Sequence, residues 1–132
     1  MTPALQAAQF SPVLDLLQQY FDGLYHSDAE ALARVFHPQA SYACATEGAL
    51  IHLDMARYLP IVARRPSPAS RDETRADEVL SIDFIGPTAA LAKVRCRIGP
   101  KYFTDLLSLV RVGQRWQIIA KVFDFQLHTH EN

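Results

Sequence analysis

The chain has 132 residues, 49% of them hydrophobic and 20% charged, and a formal net charge of −1. That length suits one domain with its own core, and the apolar fraction excludes a disordered chain. The near-neutral charge argues against nucleic-acid binding, and no apolar run approaches the ~20 residues that span a bilayer.

Met1 to Phe10 carries no Lys or Arg, which is unlike a signal peptide. Two cysteines, Cys44 and Cys96, are too few for a disulfide scaffold and read as reduced thiols. The expectation is a single domain over 1–132, with its core at about 11–125 and a polar tail at 126–132, in the cytoplasm. No membrane partner is indicated.

The first half reads as helices. Ser11-Pro12 is a start signal, a hydroxyl N-cap followed by proline at the first helical position. From there Val13, Leu17, Tyr20, Phe21 and Leu24 repeat on one helical face. Gly23 interrupts that helix and reads as a close-packing position. Ser27-Asp28-Ala29-Glu30 has the spacing of a capping box, predicting a second helix from Asp28 to about Phe36 that Pro38 ends. Two short extended pieces follow, Ala40–Ala45 and Ala49–His52, and then a third helix from about Leu53-Asp54 that carries Met55, Tyr58, Leu59 and Val62. Pro60 should kink or shorten it. The stretch from Arg64 to Arg71 is a loop by composition.

The second half holds four long β-rich runs, Glu73–Ile85, Thr88–Ile98, Tyr102–Val112 and Arg115–Phe125, punctuated at Gly86-Pro87, Gly99-Pro100 and Gly113-Gln114. This predicts an antiparallel meander. Helices first and a long-stranded sheet afterwards is the α+β pattern. Neither Tyr102–Val112 nor Arg115–Phe125 shows one clean wet face, so the side of the sheet away from the helices needs a cover. A second copy of the chain is the economical one, and a homodimer through the sheet is expected.

The Tyr-bearing first helix, the motif Phe36-His37-Pro38-Gln39-Ala40, the short strands, the third helix and the meander together resemble the nuclear transport factor 2-like superfamily. That cone-shaped α+β group includes SnoaL-like proteins, ketosteroid isomerase, scytalone dehydratase and polyketide cyclases. Ala92-Lys93-Val94, Phe103–Leu109 and Trp116–Phe123 look like its bacterial branch described as "putative lumazine-binding". The resemblance implies a strongly curved, mixed or antiparallel sheet wrapped round three helices, a pocket between them, and a dimer. Against the isomerase pattern, Tyr20 matches the phenol of the oxyanion hole. The carboxylate base falls at Cys44, and the protonated acid of the meander falls at Ser108. One of three parts is therefore kept, which disfavours that isomerase. The His–Asp pair of the dehydratase and cyclase branches has no convincing copy. Asp83 and Asp105 are available, but strand phase puts Asp105 on the outer face.

The same comparison assigns a ligand pocket to Tyr20, Tyr42, Cys44, Met55, Tyr58, Ser108, Ile119, Lys121 and Phe123, with Thr104 and Leu106 on the same sheet face. A lysine between Ile119 and Phe123 on a buried face is costly unless it is paired or serves a ligand, so Lys121 is the most informative residue.

The leading expectation is a binder of a partly apolar, cyclic small molecule. Its alternative is an isomerase-, dehydratase- or cyclase-type enzyme, with His37 or His52 as base and Tyr20 as donor. A second alternative is a non-catalytic dimerisation module whose interior is filled by Tyr42, Met55, Tyr58 and Phe123. Arg57, Arg64, Arg65, Arg71 and Arg75 read as a solvated basic face, or as steering for an acidic ligand. His128-Thr129-His130 lacks a third ligand for a metal site, and no cofactor motif occurs.

Overall fold

A computed structural model describes residues 3–128. Three helices, α1 (Pro3–Tyr25), α2 (Ala29–Val35) and α3 (Met55–Arg64), pack into one curved sheet. The sheet is built from β1 (Phe36–Cys44), β2 (Ile51–Asp54), β3 (Glu78–Ile85), β4 (Ala89–Ile98), β5 (Lys101–Val112) and β6 (Arg115–Leu127). Its strand order is β2-β1-β6-β5-β4-β3. Only the β1–β6 pairing is parallel; the other neighbours are antiparallel. The α+β cone expected from the sequence is the fold observed.

The helix boundaries differ from the sequence reading in two places. Helix α1 begins at Pro3, so Ser11-Pro12 lies inside it rather than capping it. Gln9 shows what the extra turns do: it is buried, and its Nε2 donates to the Pro87 carbonyl at 3.0 Å, tying the helix to the β3–β4 turn. Helix α2 is capped by Asp28, whose carboxylate accepts from the Ala31 N–H, and not by Ser27. Ser27 is already committed to ending α1. The Asp28 N–H bonds the Gly23 carbonyl and the Ser27 N–H bonds the Leu24 carbonyl, the two bonds of a Schellman motif. This holds Ser27 in the left-handed region at φ 48°.

Between α1 and α2 the backbones approach closely. A Cβ on Gly23 would sit 2.7 Å from Leu32 Cδ2, which bears out the close-packing reading. Helix α2 stops at Val35, and β1 starts at once with Phe36. Pro38 lies in the irregular stretch of β1 between Phe36 and Ser41, where its missing N–H breaks no regular ladder. Helix α3 starts where expected, with Asp54 accepting from the Arg57 N–H. Of the polar tail, Gln126 and Leu127 extend β6; residues 129–132, with Thr129 and His130, lie outside the described residues.

The strands of the meander match their predicted runs to within a few residues. Gly113 and Gln114 both have positive φ and close a two-residue turn between Val112 and Arg115, the type I′ geometry that suits the twist of a hairpin. The core lies between the helices and the concave sheet face, around Tyr20, Phe36, Tyr58, Leu107, Leu109 and Ile118.

Candidate functional site

Which side chains enter the cone depends on one irregularity in β6. Ser108 of β5 pairs with Ala120, but the next residue, Leu109, pairs with Ile118. Ile119 is thus an extra residue in β6, a β-bulge. Because strand side chains alternate, the bulge changes the phase: Trp116 and Ile118 point inward before it, and Lys121 and Phe123 point inward after it. The inward residues of β5 are Phe103, Asp105, Leu107 and Leu109. Asp105 lies opposite Phe123, and Leu107 lies opposite Lys121.

Asp105 is therefore not on the outer face. It is fully buried, and the Tyr20 hydroxyl donates to its Oδ2 at 2.6 Å. Lys121 Nζ lies 3.9 Å from the same oxygen. A carboxylate is tolerated there because α1 brings a donor and β6 a cation to it; alone it would be expelled to water or neutralised. Asp105 Oδ1 is buried without a hydrogen-bond partner.

Aromatic rings enclose the ammonium of Lys121. Its Nζ sits 5.0 Å from the Phe123 ring centre, 5.2 Å from Tyr20, 5.5 Å from Tyr42 and 5.9 Å from Tyr58, within the range of cation–π attraction. Tyr42 and Tyr58 stack with their ring centres 4.5 Å apart. Burial pulls the Lys121 ammonium toward the neutral form, but Asp105 outweighs it and the group titrates above the ordinary lysine range. Burial pushes the Tyr20 phenol well up, and the Asp105 charge adds to that. Tyr42 is also raised by burial, against the opposing pull of Lys121. The Cys96 thiol is pushed up by burial to about 12.

Beside Lys121 lies a cavity of about 20 Å³, with Tyr42 and Tyr58 on one wall and Leu24, Cys96, Ile98 and Phe103 on others. That volume accommodates about one water molecule. Arg65 completes the wall. Its backbone N–H caps α3 by bonding the Ile61 and Val62 carbonyls, and its Nε and Nη2 are buried with no hydrogen-bond partner.

The sequence profile of the family described as "putative lumazine-binding" matches residues 8–124. The chain belongs to this putative lumazine-binding family. Among solved structures, a nuclear transport factor 2-like protein of unknown function from Silicibacter pomeroyi is 22% identical, with a TM-score of 0.79 over 96% of this chain and 100% of that one. A second, from Shewanella baltica, is 20% identical with a TM-score of 0.82, covering 96% and 98%. A ketosteroid isomerase-like protein from Erwinia carotovora atroseptica shares the fold at 8% identity, with a TM-score of 0.67 over 87% and 94% of the two chains. A search of curated proteins finds no match.

In this member of the putative lumazine-binding family, three of the nine expected pocket residues, Tyr42, Tyr58 and Lys121, line the cavity. Tyr20 and Phe123 pack around the Lys121 ammonium, and Met55 is buried in the core. Cys44 is buried too, but its thiol faces Thr46, and it borders a shallow groove with Leu50 and Val122. Ile119 forms the bulge. Ser108 is a correction: with Thr104 and Leu106 it belongs to the convex face, because inward positions on β5 are the odd-numbered ones. The acid that meets Tyr20 is Asp105, three residues earlier.

His37 and His52 are not brought to the cavity. His37 Nδ1 accepts from the Gln39 N–H at 3.0 Å, a local structural bond, and His52 is exposed on β2 opposite Ala43. Asp83 is exposed on β3. Of the basic residues, Arg75 pairs with Asp22 and Asp77 and stacks on Tyr25. Sequence reasoning missed Asp105, Cys96 and Phe103 as inward residues, and it placed Arg65 only within a general basic face.

Proposed function

We propose that this protein binds a partly apolar, cyclic small molecule inside the cone, and that it does so as a homodimer through the convex sheet face. The observation that carries the binding reading is the cavity beside Lys121, where stacked tyrosine rings and a buried ammonium converge with the apolar side chains of Leu24, Ile98 and Phe103. Apolar walls with a few convergent polar groups are what a small-molecule site needs. The description of the family, putative lumazine-binding, points the same way. A ligand larger than a water molecule enters as the half-buried side chains of the wall, Tyr42, Arg65 and Phe103, move apart and close around it. Binding fits these groups better than proton transfer, since Tyr20 directs its proton to Asp105 and both candidate histidines lie elsewhere.

Dimerisation rests on the exposed apolar residues Leu91, Leu106 and Val122, which sit on three neighbouring strands of the convex face. The test of binding is a thermal-shift screen against a metabolite panel. A ligand at 100 times its dissociation constant adds about 2.7 kcal/mol of stability. Ile98→Trp, a substitution at a half-buried cavity position, should abolish the shift while the free protein still melts cooperatively. If no compound raises the melting temperature, the filled interior of a dimerisation module is the better reading.

A further inference from the structure

Arg65 is the one cavity residue whose charge the fold leaves unanswered. It has no ion pair among the described residues, although Arg71 and Arg75 nearby in the chain both have one. Its Nε and Nη2 are buried and donate to nothing. Guanidinium nitrogens taken out of water without acceptors are costly, and α3 holds the residue in place through two backbone bonds. Across the cavity stands Lys121, whose charge is shared with Asp105 at 3.9 Å. Two cations and one carboxylate line or adjoin the cavity, and the further carboxylate that acts on Cys96, Asp77, is already paired with Arg75, so the site is left one positive charge in excess.

We infer that the ligand is an organic monoanion, an aromatic or similarly planar monocarboxylate, whose carboxylate is held by the Arg65 guanidinium on the side facing Lys121. This inference rests on the small-molecule reading above and narrows its ligand class. The planar fork of arginine matches a carboxylate with two parallel hydrogen bonds. One negative charge neutralises the excess, so a dianion or a cation fits the site less well. The stacked rings of Tyr42 and Tyr58, with Phe103, provide the flat apolar surface against which the body of the acid lies.

The experiment compares each of three acids, benzoate, 2-naphthoate and nicotinate, with its neutral amide by calorimetric titration of the intact protein at neutral pH. At least one acid should bind at least tenfold more tightly than its amide. Arg65→Gln should weaken that acid at least tenfold and the amide by much less, so that the preference for the acid is lost. Arg65→Lys, which keeps the charge and loses the fork, should fall between the two. The comparison of acid with amide on the unaltered protein decides the matter even if a variant folds poorly. Neutral compounds that bind as well as the acids, or an acid affinity that survives Arg65→Gln, would overturn the anion assignment and leave the binding reading standing. Failure of acids, amides and the metabolite panel alike would remove both.

Discussion

Tyr20 and Asp105 stand 85 positions apart in the chain, and their oxygens meet at 2.6 Å in the interior of the cone. The contact joins the C-terminal part of α1 to β5, and Lys121 on β6 completes the group. Three elements distant in sequence are thus locked by one carboxylate, which holds the Lys121 proton against burial and adds to the effect of burial on the Tyr20 phenol.

Removing the charge of Asp105 should be severe. Asp105→Asn leaves the Lys121 ammonium buried without its counter-ion, and breaking such a pair costs about 3–5 kcal/mol. The double change Asp105→Leu with Lys121→Met removes both charges and should be less destabilising than Asp105→Asn alone. Chemical denaturation measures both; an Asp105→Asn protein within 1 kcal/mol of the parent would contradict the pairing.

Tyr20→Phe deletes only the donor. A hydrogen bond to a charged group is worth about 1.5–3 kcal/mol, so a loss of about 2 kcal/mol is expected. In a double-mutant cycle, Tyr20→Phe should cost much less once Asp105 is already leucine. Additive losses would show that the bond carries little energy.

The protein should be sensitive to alkali. Tyr20, Tyr42, Cys96 and Lys121 all hold their protons more tightly folded than unfolded. Each contributes stability that is complete below its ordinary pKa and is lost as pH rises through the folded value. For Cys96 the window runs from 9.0 to about 12. Stability should be flat near neutrality and fall above about pH 9, by up to ~1.4 kcal/mol per pH unit for each group titrating. Cys96→Ala should make the first part of that fall shallower. A stability profile that stays level to pH 11 is the contrary result.

Ser27→Gly should stabilise the fold by about 1 kcal/mol. The position is left-handed at φ 48°, where glycine is unstrained, and the serine hydroxyl is buried without a partner. If Ser27 were the N-cap of α2, the same change would instead cost a few tenths of a kcal/mol. A melting curve distinguishes a gain from a loss.

The convex face can be tested directly. Leu106 and Val122 are cross-strand partners and are 41% and 51% exposed. Sedimentation should find a dimer, and Leu106→Glu or Val122→Glu should yield a folded monomer. A monomeric parent protein would remove the proposed interface.

Much of this architecture is legible in the residues. Glycine at Gly86, Gly99 and Gly113 marks the turns of the meander because each adopts positive φ, and Asp54 before Met55 marks the start of α3. What escaped were features where one local signal has two uses. Ser27 satisfies a capping-box spacing, yet the end of α1 claims it first. Asp105 reads as an outward residue because the isomerase pattern puts Ser108, and by alternation Thr104 and Leu106, on the pocket face; its two partners arrive from elements 85 residues before and 16 residues after it. The alternation of β6 holds only on either side of Ile119, and nothing in that residue type announces a bulge. Arg65 lies in an arginine-rich stretch, where a solvated charge is the ordinary outcome; only the cap on α3 and the closeness of Tyr42 and Cys96 turn it inward.

The extra residue in β6 makes the strand forgiving of a lost residue at one place. Excising Ile119 would delete no charge and no aromatic ring. It would also leave Leu109 opposite Ile118, Ser108 opposite Ala120 and Leu107 opposite Lys121 as one unbroken antiparallel register, so the lysine would keep its inward place. Removing a residue well beyond the bulge would instead turn the positions after it to the other face, so single-residue deletions scanned along this strand ought to find their mildest position at Ile119.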